Sequence, residues 1–368
     1  MNPPPFRADH IGSLLRPPAL LEQRARAARG EIDRAALAAA EEAAIDEALR
    51  LQERVGLKVA TDGEFRRRSY HSYFYGQLGD IVPDAVSDSR GAGTGAGSRG
   101  AQPTAVIRSR LQWKQPIHVD DFRFLAARTK LTPKITLPGP CALHFRGGDA
   151  AVREAYADVE AFWDDTVAAF RAELTALAQA GCRYVQMDET AFAKFADPEV
   201  LAHLRSRGED PERLIDRYVG VVNRVLRGLP ATLRIGMHLC RGNRGGLWHA
   251  EGSYESIAER LFNALDIGLF LLEYDTPRAG SFAPLRLLPG DKCVVLGLVS
   301  TKTAEVESAD HLKRRIDEAA RYVELGRLAI SPQCGFASVE SGNPIAKEVQ
   351  EAKLRRVVEV AESVWGNT

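Results

Sequence analysis

The chain has 368 residues, with 49 basic and 49 acidic side chains, 45% hydrophobic and 27% charged residues. These are the proportions of a soluble globular protein, and a formal net charge of zero excludes a general nucleic-acid-binding surface, which needs a basic excess. Five scattered cysteines do not make a disulfide scaffold, and there is no N-terminal apolar leader and no apolar run of membrane-spanning length; a reducing, cytoplasmic setting without membrane association is expected.

Short apolar runs recur along the chain, each ending in polar residues, at 6–13, 57–62, 134–137, 184–188, 233–238, 269–273, 293–299 and 328–331. They are too short for helices and rich in Val, Ile and Leu, as buried parallel strands are. Helical patterns separate most of them, at 36–55, 152–180, 198–227 (two helices), 254–263, 310–325 and 345–364. Eight strands alternating with helices predict an α/β chain folded as a (β/α)8 TIM barrel, with a doubly wound open sheet as the competing arrangement. Barrels reach this length as one unit, so 1–368 is expected to be a single catalytic domain.

An insertion at 77–128 separates the second and third strands. Its segment 87–102 reads SDSRGAGTGAGSRGAQ, a composition suited to a loop. GAGTGAG resembles a dinucleotide fingerprint only in letters, because no strand precedes it and no helix follows. A hairpin or lid over the barrel mouth is expected instead.

In such a barrel, chemistry sits where the strands end at the C-terminal face. The candidates there are Asp9, His10 and Ser13, Asp62 and Glu64, Asp188 and Glu189, His238 and Cys240, Glu273 and Asp275, Ser300 and Lys302, and Cys334. His238, Cys240, Glu273 and Cys334 combine imidazole, thiolate and carboxylate, the ligand types of tetrahedral zinc, and two thiolates favour zinc over magnesium or calcium. His238 and Cys240, two apart, point the same way at a strand end. A zinc with a displaceable ligand can hold a substrate thiol as thiolate near pH 7, the nucleophile for alkyl transfer. The alternative is a barrel-end histidine and two small core thiols.

Several segments, in order, make the sequence recognisable: HIGSLLRP at 10–17, DGEF at 62–65, LPGP at 137–140, QMDE at 186–189, HLC at 238–240, LEYD at 272–275 and SPQCG at 331–335. Together they resemble the C-terminal catalytic barrel of cobalamin-independent methionine synthase across almost the whole chain. The resemblance implies a zinc-dependent methyltransferase of the 5-methyltetrahydropteroyltriglutamate–homocysteine type, in methionine biosynthesis. Its small-molecule partners would be homocysteine and a 5-methyltetrahydrofolate donor. It implies His238, Cys240, Glu273 and Cys334 as Zn2+ ligands. It also implies Ile11, Gly12 and Ser13 as the segment holding the homocysteine carboxylate, and Glu64 and Asp188 as the acids holding its ammonium. A zwitterion needs such a division of donors and carboxylates. Glu189 is a further candidate substrate contact or base.

The sequence departs from the family in two places. The two-barrel enzymes carry a further N-terminal barrel, and they have an Asp and a His after the seventh strand where GLVSTKT here places Ser300 and Lys302. Lys302 is therefore the candidate proton donor, or the partner of an anionic group. A transferase for another thiol, similar to epoxyalkane:coenzyme M transferase, and methyl transfer from a corrinoid donor are the alternatives. A zinc-binding storage or regulatory protein and a Schiff-base aldolase using Lys302 are the rivals from other classes. Homo-oligomerisation is left open. Arg66, Arg67 and Arg68 read as a solvated run or an anion contact, and Tyr70, Tyr73, Phe74 and Tyr75 as packing or a stacking surface. The loop RGNRGGLWHA, with Trp248 and His249, reads as a cover over the site, and Cys141, Cys182 and Cys293 as core thiols.

Overall fold

Continuous apolar runs can be strands only where both faces are covered, and the chain uses them that way. The computed structural model describes residues 3–87 and 103–366, with backbone alone at 82–87 and 103–104. In chain order the elements are α1 (Pro18–Ala28), α2 (Arg34–Arg54), β1 (Val59–Ala60), α3 (Ser72–Leu78), β2 (Ile81–Ser87), β3 (Pro103–Ile107) and α4 (Val119–Ala126). There follow β4 (Thr132–Pro138), α5 (Ala142–Phe145), α6 (Gly148–Val152), α7 (Val159–Gln179), β5 (Tyr184–Glu189), α8 (Pro198–Ser206), α9 (Pro211–Leu226) and β6 (Arg234–Leu239). The last part holds α10 (Ala258–Ala264), β7 (Leu269–Glu273), β8 (Cys293–Val299), α11 (Ala309–Ala320), β9 (Leu328–Pro332) and α12 (Lys347–Trp365).

The parallel sheet runs β1-β4-β5-β6-β7-β8-β9, and β5, β7, β8 and β9 are buried along their whole length. The expected α/β barrel is present as this curled sheet with helices on its outside. The run at 6–13 differs from the strand expected there. It makes one ladder pair, Ala8 with Ile330, through Asp9 N–H to Ile330 O at 3.0 Å and Ile330 N–H to Arg7 O at 2.9 Å. The carbonyls of residues 10–12 are taken by side chains, and that of Ser13 by Phe336 N–H at 2.9 Å. Gln186 Nε2 donates to Ile11 O at 2.7 Å and Thr61 Oγ1 to Gly12 O at 2.6 Å, while Lys134 Nζ bonds the His10 carbonyl. Leu14 N–H then bonds Gly63 O at 3.1 Å, so this segment spans from the β9 edge to the loop after β1 and brings its carbonyls over the barrel.

The helices start where the sequence supplies acceptors. Asp33, Asp158, Asp197, Asp210 and Ser308 each accept a first-turn N–H of α2, α7, α8, α9 and α11, and Pro198 and Pro211 open α8 and α9. Helix α9 buries Leu214, Ile215, Tyr218, Val222 and Val225 on one face and packs on α7. Helix α1 was not expected, because its only buried residues are Leu20 and Arg24 and it carries no apolar stripe. The insertion contains the antiparallel pair β2–β3, with Ile81 opposite Ile107, as a hairpin requires. Its expected glycine-rich tip lies, beyond Ser87, outside the described residues. Glu173 of α7 anchors the segment after β3: its carboxylate accepts from Trp113 Nε1 at 2.8 Å and from the N–H groups of Ile117 and His118 at 2.8 and 2.7 Å.

Candidate metal and substrate site

Strand register brings the chemistry together. Asp188 of β5 and His238 of β6 are direct Cα partners, and His238 pairs in turn with Leu271 of β7. Glu273 ends β7, Cys240 follows β6, and Cys334 lies two residues past the end of β9. The donor atoms of His238, Cys240, Glu273 and Cys334 all lie within 4.8 Å of one another, and all four residues are buried.

Hydrogen bonds and charge tie the four groups to one another. The Sγ atoms of Cys240 and Cys334 are 3.6 Å apart. The hydrogen bond from Cys240, opposed by burial and helped by His238, holds Cys334 well below the ordinary thiol range; the same bond and burial push Cys240 well above it. Gly242 N–H also donates to Cys240 Sγ at 3.2 Å. Burial opposes a charged His238, but Cys334 and the carboxylates outweigh it and raise the ring to about 9. Its Nδ1 donates to Leu271 O at 3.2 Å, since a carbonyl only accepts, and Nε2 has no hydrogen-bond partner. Metal-bound histidines are fixed in this way, by a carbonyl on the far nitrogen. Glu273 is held ionised: burial would raise it, but Lys302, Arg278, His238 and Arg241 together lower it. One nitrogen, two sulfurs and a carboxylate oxygen fit a borderline-soft divalent cation.

A cavity of about 380 Å3 opens beside the cluster, and Ile11, Ser13, Glu64, Asp188, His238, Cys240 and Cys334 line it. Glu64 is in the left-handed region, φ 62°, and is the one such non-glycine among the described residues. Its N–H donates to Asp62 Oδ1 at 2.8 Å and its carbonyl accepts from Arg16 Nη2 at 3.0 Å, which hold the turn. Strain of this kind, at about 1–3 kcal/mol, persists where surroundings over-determine it and clusters at functional sites. Thr136 Oγ1 donates to one Glu64 oxygen at 2.9 Å while the other, Oε2, has no partner. Burial, and then Glu64, raise Asp188 to about 7 against the pull of His238, and Gln186 Nε2 donates to it at 2.7 Å. Two buried acids therefore line the cavity, one of them with an unpartnered oxygen.

Residues 6–363 match the family described as cobalamin-independent synthase, catalytic domain. The chain belongs to this family. It is a methyltransferase. The uncharacterized protein YxjH of Bacillus subtilis is 38% identical over 364 residues, covering 98% of this chain and 95% of that one. The methionine synthase of Pyrococcus abyssi is 24% identical over 311 residues, 84% of this chain and 80% of that one. A solved structure from Listeria monocytogenes, described as a candidate vitamin-B12 independent methionine synthase, superposes with a TM-score of 0.75 at 32% identity, covering 100% of both chains.

The other residues singled out in the sequence of this family member fall into place differently. Gly12 does not line the cavity but lies under it: a Cβ there would stand 2.6 Å from Thr136 Cγ2 and 3.2 Å from Glu64 Oε1. Glu189 is fully buried and its carboxylate is taken up by the N–H groups of Cys141 and Ala191, at 3.0 and 2.9 Å. It shapes the loop after β4, and it does not face the cavity. Lys302 is buried, its Nζ has no hydrogen-bond partner, and it acts by charge on Glu273. Asp9 and His10 sit inside the barrel, where Asp9 pairs with Lys134 at 2.6 Å and accepts from Tyr184 Oη at 2.7 Å.

Of the three arginines, Arg66 pairs with Asp121 at 2.6 Å, Arg67 is buried 4.0 Å from Glu64, and Arg68 alone is exposed. Tyr70 lines the cavity, whereas Phe74 and Tyr75 belong to the core and Tyr73 packs against it. His249 lines the cavity, and Trp248 stacks under Arg278 at 4.9 Å. Cys141, Cys182 and Cys293 are buried thiols outside any disulfide, and burial pushes their ionisation up. Sequence reasoning missed His71, Arg146, Thr190, Asn243, Arg244 and Ser338, which also line the cavity. Their signal was weak: Asn243 and Arg244 lie within the loop RGNRGGLWHA, Thr190 directly follows QMDE, and the others stand outside the recognised motifs. Among the described residues no helix is long and apolar enough to cross a membrane.

Proposed function

We propose that this chain transfers a methyl group from a 5-methyltetrahydrofolate species to the thiol of homocysteine, giving methionine, with zinc held by His238, Cys240, Glu273 and Cys334. The convergence of these four donors at a cavity also lined by Glu64 and Asp188 carries the reading. Zinc, when bound, supplies the acidity that keeps a thiol as thiolate near neutral pH.

The protein's own groups do the rest. Glu64 and Asp188 bind the α-ammonium, and the segment Ile11–Gly12–Ser13 receives the carboxylate. This pair of acids favours an amino-acid thiol over a sulfonate thiol. The fully buried β6 and β7 ends exclude water from the sulfur, which makes the thiolate a stronger nucleophile. Lys302, the candidate proton donor from sequence, is better placed to keep Glu273 ionised. Five free cysteines fit a reducing, cytoplasmic setting.

Metal analysis of the purified chain, with methyl transfer from 5-methyltetrahydrofolate to homocysteine, tests the reading. Stoichiometric zinc and turnover are expected, and Cys240→Ser loses both. A zinc-free preparation with full activity, or undiminished transfer by Cys240→Ser, overturns it.

A further inference from the structure

Arg146 follows α5 and lines the cavity beside Tyr70 and His71. Its Nη1 donates to His71 Nε2 at 2.9 Å and its Nη2 to the Tyr70 hydroxyl at 3.0 Å. Both acceptors are neutral. Burial, then the charges of Arg146 and Arg244, drive His71 well below its ordinary value, and burial raises Tyr70. Of five guanidinium donors two are thus used, and Nε is buried without a partner. Among the described residues no carboxylate reaches ion-pair distance of Arg146.

Three other arginines near the site have their anions: Arg67 has Glu64, Arg278 has Glu273 and Asp275, and Arg66 has Asp121, while Arg244, which lines the same cavity, is exposed to solvent. The charges acting most on Glu64 and Asp188 come from Arg67, Arg16 and His238, so Arg146 is not their counterion. A half-buried guanidinium held in place by two neutral acceptors is left with charge and donors for an oxyanion that enters the cavity. On the methyl-transfer reading the amino-acid acceptor does not need it, since Glu64 and Asp188 take its ammonium and the segment 11–13 its carboxylate.

We propose that Arg146, oriented by Tyr70 and His71, is the subsite for a carboxylate of the methyl donor and selects anionic donors over neutral ones. The inference rests on the methyl-transfer reading above. Binding of 5-methyltetrahydrofolate and of its neutral diester is measured by calorimetry on the zinc-loaded wild type, Arg146→Ala and Arg146→Lys. The wild type prefers the acid by about tenfold or more, Arg146→Ala loses the preference, and Arg146→Lys keeps part of it. Thermal unfolding of each variant separates a folding defect from a lost contact, and Arg146→Lys carries the test if the alanine variant does not fold. Equal wild-type affinity for acid and diester, or an acid preference that survives Arg146→Ala, overturns the proposal. So does a homocysteine affinity that falls while donor affinity holds. Homocysteine binding to the wild type, measured separately, reports on the methyl-transfer reading itself.

Discussion

Replacing Gly12 with alanine probes the floor of the acceptor site, because two separate costs meet there. The backbone sits at φ 121°, which an L side chain rarely adopts, and roughly 1–3 kcal/mol is expected from that conformation alone. The added methyl would also stand 2.6 Å from Thr136 Cγ2, well inside contact distance, and forcing an extra carbon into a packed interior costs roughly 1–3 kcal/mol more. Together the loss is about 2–6 kcal/mol, a large part of the roughly 5–15 kcal/mol that holds a domain folded. Gly30 supplies the control: its φ is 74° but nothing lies within 4 Å of a Cβ there, so Gly30→Ala bears only the backbone cost, about 1–2 kcal/mol. Urea unfolding followed by circular dichroism gives both numbers. Thr136 also donates to Glu64 at 2.9 Å, so its displacement weakens homocysteine binding in Gly12→Ala and not in Gly30→Ala. Equal destabilisation by the two substitutions would refute the steric reasoning.

Asp188→Asn removes one of two acids facing the acceptor and is expected to raise the homocysteine KM about tenfold or more, measured by initial rates; an unchanged KM would place the ammonium elsewhere. Chelation should abolish activity and lower the unfolding temperature, and added zinc should restore both. At a free zinc concentration a hundredfold above Kd the stabilisation is about 3 kcal/mol, and a melting curve insensitive to zinc contradicts the four-ligand cluster. Asp121 gives the acid-stability prediction. Burial would raise it, but His118, Arg67 and Arg66 bring it down to about 2, below the usual value near 4. Its stabilisation, on the order of 2 kcal/mol, is therefore complete above about pH 4 and is lost as pH falls towards 2. Asp121→Asn should unfold more easily than wild type at pH 7, with the gap closing between about pH 4 and pH 2 in denaturant titrations.

What the sequence by itself determined is the layer of strands and the identity of the cluster. The strands from β4 to β9 are mostly buried and so carry apolar runs, visible without a structure, broken by polar residues such as Lys134, Gln186 and His238 that meet inside the barrel. Strand ends of a barrel converge on one face, so His238, Cys240, Glu273 and Cys334 were legible as a set before their distances were known. Tertiary structure alone decided the rest, because it depends on partners far away in the chain. The segment at 6–13 reads as a strand but the carbonyls of residues 10–12 are claimed by Lys134, Gln186 and Thr61. Asp188 and Glu189 are adjacent in sequence and both acidic, yet only Asp188 faces the cavity: successive side chains point to opposite faces, and Glu189 meets two backbone N–H groups instead. Arg146, in no motif of its own, becomes part of the site through two neutral acceptors contributed by residues 70 and 71, more than seventy positions earlier.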